Sequence, residues 1–113
     1  MNNAQMTLRL IFDRQTDFIH SRDLGGLVGQ YLEDAILLRF DAESAGRPAI
    51  SEFFAGYLAK NPEVMSIDAY SEADEMLSYQ ATMLVGGDEI RTYGMWIVRN
   101  GKIWRQFAGL IEG

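Results

Sequence analysis

One glutamine interrupts the most apolar face of the N-terminal segment. Five apolar residues recur at helical spacing within residues 5–20. They are Leu8, Ile11, Phe12, Phe18 and Ile19. Gln15 lies among them, and a buried amide needs hydrogen-bond partners. Gln15 is therefore predicted either to donate to an oxygen of a bound ligand or to bond to backbone near the sheet edge.

The other polar residue types restrict the chemistry further. The chain has no cysteine, which excludes a thiolate nucleophile, a disulfide framework and a cysteine-based zinc site. His20 is the single histidine and ends the first predicted helix, where it is expected to face solvent or to cap the helix weakly. One histidine without cysteine predicts no transition-metal site, and no cofactor is expected.

Length, composition and charge limit the class of protein. A chain of 113 residues with 48% hydrophobic residues fits one domain over residues 1–113 with a real core. The net charge of −6, with scattered basic residues, argues against a nucleic-acid partner. The sequence offers neither a signal-peptide pattern nor an apolar run of roughly 20 residues. We therefore expect a cytoplasmic protein with no membrane partner.

The spacing of apolar residues predicts helices first and strands afterwards. Helices are predicted over residues 5–20, 24–31 and 48–58, and strands over 35–40, 64–70, 77–85, 90–98 and 102–111. Asp23 is a candidate N-cap, Pro48 suits a first helical turn, and Asn61-Pro62 ends the third helix. This order predicts an α+β domain with helices on one face of a sheet.

The last hairpin, "RTYGMWIVRNGKIWRQFAGL" (residues 91–110), lacks a polar face. On its first strand Tyr93, Met95 and Ile97 share one face, and the other face carries apolar residues as well. A hairpin with one solvated face would instead alternate apolar and polar residues. Both faces of this hairpin are therefore predicted to be covered.

Three segments resemble the SnoaL-like, nuclear-transport-factor-2-like (NTF2-like) superfamily, which includes the ketosteroid isomerases. They are "SRDLGGLVGQYLEDAILLRFD", "AGRPAISEFFAGYL" and "YGMWIVRNGKIWRQFAG". The resemblance implies a curved antiparallel or mixed sheet wrapped around three N-terminal helices, a cone with a pocket inside. It also implies a homodimer through the outer sheet face, with Trp96 or Trp104 at the contact. The alternative is that the chain termini cover this face.

The resemblance also implies candidate catalytic residues. In the isomerases a carboxylate at the end of the first strand is the general base. An ungapped match places Arg39 at this position, and a two-residue shift places Asp41 there. The alternative is that Asp41 is a solvated loop residue. A second isomerase carboxyl falls on Tyr93-Gly94-Met95, where the phenol of Tyr93 offers a donor instead. Asp41, Tyr93 and Gln15 thus form the candidate catalytic set.

Aromatic and methionine side chains are predicted to line the pocket around that set. They are Tyr31, Phe53, Tyr57, Tyr79, Met83, Met95 and Phe107. Two functions stay open. The resemblance implies that the protein binds a small hydrophobic carbonyl compound and acts on it as a cofactor-independent isomerase, cyclase or dehydratase. The alternative is a non-catalytic ligand-binding or dimeric assembly module.

Overall fold

Three helices and six strands make up residues 3–111, the part of the chain that the computed structural model describes, with side chains described from residue 8. The helices are α1 (Asn3–Ser21), α2 (Leu24–Gly29) and α3 (Arg47–Leu58). The strands are β1 (Tyr31–Leu38), β2 (Glu43–Ala45), β3 (Glu63–Ala73), β4 (Met76–Val85), β5 (Asp88–Arg99) and β6 (Lys102–Ile111). The predicted α+β class is confirmed. No helix within residues 3–111 has the length and apolarity to cross a membrane.

The strands form one curved, open sheet in the order β2-β1-β6-β5-β4-β3. All neighbours run antiparallel except β1 and β6, which are parallel. Two register shifts in β3 and one between β5 and β6 bend the sheet, because a bulge increases local twist. The helices lie on the concave side, where α1 contacts β3 and α3 contacts β1.

Local signals in the sequence mark three of the helix ends. The Asp23 carboxylate accepts from the Gly26 N–H at 2.9 Å and caps α2, as predicted. Pro48 lies in the first turn of α3, and Asn61, with φ of 52°, directs the chain away after that helix.

Two predicted boundaries near β1 are wrong. Helix 24–31 ends earlier, at Gly29, and strand 35–40 begins earlier, at Tyr31. Tyr31 is extended because it pairs with Ile103 of β6, a contact that local spacing does not indicate. The short strand β2 lies between the predicted strand 35–40 and the predicted helix 48–58, where no element was predicted.

The two faces of β5 have different surroundings, which explains the apolar hairpin. Trp96 faces the core and is 1% exposed, whereas Met95 on the other face is 46% exposed. Trp96 is therefore not at the outer face. The bulge between Ile97 and Val98 turns Trp104 outward, where the guanidinium carbons of Arg99 and Arg105 lie 3.6 and 3.9 Å from its ring centroid.

Neighbouring phenylalanines on α3 should respond differently to truncation. Phe54 is 4% exposed and its ring lies 5.8 Å from that of Tyr31, so Phe54→Ala leaves an enclosed void. We expect Phe54→Ala to lower the free energy of unfolding by about 3–5 kcal/mol. Phe53→Ala should cost less, because the Phe53 ring is half-buried and already borders open space. Urea unfolding of both variants checks this, and an equal or reversed order would contradict it.

Candidate functional site

A cavity of about 500 Å³ lies between the helices and the concave face of the sheet. Its size falls within the ~300–1,000 Å³ usual for small-molecule sites. Most of its wall is apolar or aromatic, and these residues include Phe12, Ile19, Phe53, Met83, Val85 and Ile90. The cavity therefore suits a small, largely apolar ligand.

A chain of four buried polar side chains reaches the cavity from the core. The Gln30 amide donates to Gln15 Oε1 at 3.0 Å, and the Gln15 amide donates to the Tyr31 hydroxyl at 3.1 Å. The Tyr31 hydroxyl in turn donates to Gln106 Oε1. Gln30 also donates to the backbone oxygen of Ile11 at 2.8 Å, which ties the chain to α1. Each of the four side chains is at most 8% exposed.

This chain has a direction, and its last member lines the cavity. The Oε1 atom of Gln106 accepts the hydrogen bond from Tyr31. The Nε2 group of the same amide is therefore the part that can donate toward the cavity, which Gln106 lines. The Tyr79 hydroxyl lies close to that amide and to the Trp96 indole. The indole N–H is buried and has no well-formed hydrogen bond among the described residues. Gln106, Tyr79 and Trp96 form what we call the inner end of the cavity, and this end is thus rich in hydrogen-bond donors.

The phenols of Tyr57, Tyr79 and Tyr31 are held in their neutral form. Burial raises the pKa of Tyr79 to about 12, the nearby Tyr57 phenol adds to this, and the donors of Trp96 and Gln106 partly offset it. Burial likewise raises the pKa of Tyr57 to about 12, while the Arg39 guanidinium counteracts it. Burial also raises the pKa of Tyr31, and the nearby Tyr79 adds to this. These hydroxyls therefore remain protonated at neutral pH.

The charged groups at the cavity are cationic. Arg39, just beyond β1, and Lys60, after α3, both line it. Among the described residues that line the cavity there is no aspartate, glutamate or histidine. The described side chains also contain no cluster of three or more metal-ligating residues.

Solved structures with the same architecture cover nearly the whole chain. A ketosteroid isomerase-like protein from Kribbella flavida is 13% identical, with a TM-score of 0.84 over 96% of this chain and 80% of that one. An NTF2-like protein from Anabaena variabilis is 15% identical, with a TM-score of 0.84 over 98% and 91%. A SnoaL-like polyketide cyclase from Sinorhizobium meliloti is 17% identical, with a TM-score of 0.77 over 87% and 92%. The chain has the NTF2-like fold. No protein-family model matches the sequence, and no curated protein sequence does either.

Within this NTF2-like cone, six of the predicted site residues line the cavity. They are Gln15, Phe53, Tyr57, Tyr79, Met83 and Tyr93. Gln15 bonds to two side chains, Gln30 and Tyr31, rather than to backbone. Tyr31 does not line the cavity itself, but its hydroxyl hydrogen-bonds to the side chains of Gln15 and Gln106, which do.

Asp41 lies outside the cavity. Arg39 and Ala42 bond to each other through their backbones, with the Arg39 N–H to Ala42 oxygen distance at 2.8 Å, so that Phe40 and Asp41 form the tip of a turn between β1 and β2. Asp41 is exposed there and does not line the cavity. The structure therefore does not bring Asp41 together with Gln15. The residue that lines the cavity is Arg39, which the ungapped match to the isomerases places at the position of their general base.

Three predicted residues of the last hairpin point to the outer side of the sheet. Tyr93 borders the cavity, but it pairs with Gly109, and its ring lies across that glycine and 6.0 Å from the ring of Phe107. Met95 and Phe107 pair with each other on that same face, and neither lines the cavity. On the inner face of the sheet, the phenol that faces the cavity is that of Tyr79, which pairs with Gly94.

Sequence reasoning missed Gln30, Gln106 and the role of Arg39. Gln106 shares a strand face with Ala108, and its pairing with Trp96 turns it inward. The run "WRQFAG" does not show which residue of β6 pairs with Trp96. A bulge between the hairpin turn and the Trp96–Gln106 pair shifts the register, so the pairing cannot be counted from the turn. His20 is exposed, as predicted, and its Nε2 accepts from the backbone N–H of Val64 at 2.9 Å.

The raised phenol pKa values predict loss of stability in alkali. The pKa of an unfolded tyrosine is near 10. A group whose pKa is higher in the folded state stabilises the fold fully at a pH below the unfolded pKa. This stabilisation is lost as the pH rises through the folded pKa. For Tyr57 and Tyr79 that window extends from the unfolded value up to about 12. We expect the free energy of unfolding to fall across it, and less steeply in Tyr79→Phe. Urea unfolding at several pH values tests this with Ser78→Ala as control, and equal slopes in wild type and Tyr79→Phe would contradict it.

Proposed function

We propose that this protein binds a small, largely apolar molecule that carries a carbonyl oxygen. The observation that carries the proposal is the directed chain Gln30–Gln15–Tyr31–Gln106, which leaves donor groups at the inner end of an apolar cavity. A ligand that fills such a space must bring an acceptor, because buried donors without partners cost free energy. A carbonyl group supplies one.

The fold neighbours are consistent with this ligand class. Two of them are described as a ketosteroid isomerase and a polyketide cyclase, activities whose substrates contain carbonyl groups. At under one-fifth identity this likeness concerns the fold alone, and the support for the ligand class comes from the cavity.

Binding without proton abstraction is the function that the described cavity supports best. General-base chemistry needs a group that can take a proton within hydrogen-bond reach of the substrate. The ionisable groups of the described lining are arginine, lysine and tyrosine, and Tyr57 and Tyr79 are neutral donors. Such a set polarises a carbonyl oxygen. Isomerase, cyclase or dehydratase chemistry would need a base from the ligand or from water.

A matched pair of probes tests the acceptor. 2-Acetylnaphthalene and 2-ethylnaphthalene have similar shapes, but only the first has a carbonyl oxygen. One hydrogen bond is worth about 1 kcal/mol, so the ketone should bind about fivefold more tightly in calorimetric titration. Tyr79→Phe should reduce this preference, because it removes one donor at the cavity's inner end.

A second matched pair, of variants, locates the binding space. Thr92 lines the cavity, whereas Thr82 lies on the other face of the sheet with its hydroxyl 2.7 Å from an oxygen of Asp68. Thr92→Phe should weaken both probes by reducing the space, and Thr82→Phe should not. Failure of both probes to bind the wild type, or equal effects of the two variants, would refute the proposal.

We also propose that a second copy of the chain covers the outer sheet face. Exposed apolar side chains cluster there around the Phe107 ring, and Phe40, the most exposed, packs edge-on against it at 5.4 Å. Met95 and Leu38 on the same side are 46% and 45% exposed. A contiguous apolar patch on a curved sheet is typical of an interface.

Charge substitutions on methionines test this dimer. Met95→Glu places a charge within the patch and should shift the protein from dimer to monomer, because an unpaired charge in an apolar interface is costly. Met65→Glu is the control, since Met65 is 56% exposed on the edge strand β3. Sedimentation velocity at ~50 µM, well above a micromolar Kd, separates the two states. A monomeric wild type, or equal dissociation by both variants, would contradict the dimer.

A further inference from the structure

One arginine stands at the cavity wall with no carboxylate beside it. Arg39 is half-buried, and its guanidinium carbon lies 5.0 Å from the centroid of the Phe53 ring. No ion pair to Arg39 is formed by any carboxylate among the residues whose side chains the structure describes. A partly desolvated cation favours a nearby anion more strongly than an exposed cation does.

Other arginines of the chain serve structural contacts. Arg47 Nε donates to the Tyr31 backbone oxygen at 2.8 Å, and Arg22 donates to the backbone oxygens of Ile19 and Pro62 at 2.6 and 2.8 Å. Arg105 packs on Trp104 and donates to the backbone of Asp34. Arg39 instead lines the cavity, with its guanidinium carbon over the ring of Phe53.

The surroundings of Arg39 combine an aromatic wall with further donors. Phe53 and Tyr57 stack with their ring centroids 5.8 Å apart. Burial raises the pKa of the Tyr57 phenol, and Arg39 is near enough for its guanidinium to offset part of that rise. Along β1, Arg39 lies two residues beyond Leu37, which pairs with Gln106 on the neighbouring strand. The guanidinium, the phenol and the Gln106 amide thus line the same cavity from adjacent elements.

The charged side chains of the described cavity wall are cationic, although the chain as a whole is negative. Lys60 adds a second cation to the wall, and the described lining contains no carboxylate, while the chain carries a net charge of −6. The planar guanidinium matches the two oxygens of a carboxylate, and hydrogen bonds to such an ion are roughly twice as strong as neutral ones.

We infer that the ligand is an apolar or aromatic carboxylic acid, bound as its carboxylate with Arg39 as the ion partner. The inference rests on the proposed binding of a carbonyl-bearing apolar molecule and specifies its charge. The guanidinium fork meets both carboxylate oxygens, and the neutral donors line the same cavity. The apolar body then fills the region walled by Phe53, Met83 and Ile90.

A pair of probes that differ in charge tests this inference. 2-Naphthoic acid and 2-naphthamide share shape and a carbonyl group, but only the acid is ionised at pH 7. The acid should bind the wild type at least about tenfold more tightly than the amide in calorimetric titration. Arg39→Gln should remove this preference and change the affinity for the amide by less than about twofold. Arg39→Lys should keep part of the preference, because it retains the charge and loses the fork geometry.

The control variant is Arg14→Gln, which alters the net charge equally. Arg14 is exposed on α1 and does not line the cavity, so this variant should leave the preference for the acid unchanged. Equal binding of acid and amide by the wild type, or equal losses in Arg39→Gln and Arg14→Gln, would overturn the inference and leave the proposed carbonyl binding intact. If neither the amide nor 2-acetylnaphthalene binds, the proposed function itself fails.

Discussion

The burial of four polar side chains is the constraint on which the cavity depends. Gln30, Gln15, Tyr31 and Gln106 come from the end of α2, from α1, from β1 and from β6, and they satisfy one another within the core. A partly satisfied chain of this kind would be worse than an apolar core, because low dielectric raises the cost of each unpaired group. The helices and the two parallel strands must therefore meet at one distance and register. The same requirement orients the last amide toward the ligand space.

Glycines let the sheet carry large rings on both of its faces. A Cβ on Gly94 would lie 2.6 Å from the Tyr79 hydroxyl, and one on Gly109 would lie 2.7 Å from the Tyr93 ring. Each tyrosine thus lies flat across the strand next to it, one on the cavity side and one on the outer side. The apolar hairpin is the result of both arrangements. Its inner face completes the cavity, and its outer face offers an aromatic surface.

The period of the hydrophobic pattern was sufficient to predict most of the elements, and their order was sufficient to predict the α+β class. The cone with its pocket was implied by the resemblance to the NTF2-like superfamily. The helices over 5–20 and 48–58 and the four late strands correspond to α1, α3 and β3–β6. The site was less accessible, because its polar members depend on contacts between distant parts of the chain. Gln15 could be singled out from its own helix, since its neighbours are apolar. Gln106 could not, because only its partners Tyr31 and Trp96 make it a buried donor.

The contrast between Arg39 and Asp41 shows how a turn decides the chemistry of this cavity. On a continuous strand, residues 37, 39 and 41 would all face inward, since side chains alternate with a period of two. β1 ends at Leu38, and the backbone bonds between Arg39 and Ala42 reverse the chain over Phe40 and Asp41. Arg39 is then the last residue with an inward direction, and Asp41 projects beyond the sheet. A longer strand would place a carboxylate in the cavity and favour proton abstraction, whereas this turn leaves a cation there and favours an anionic ligand.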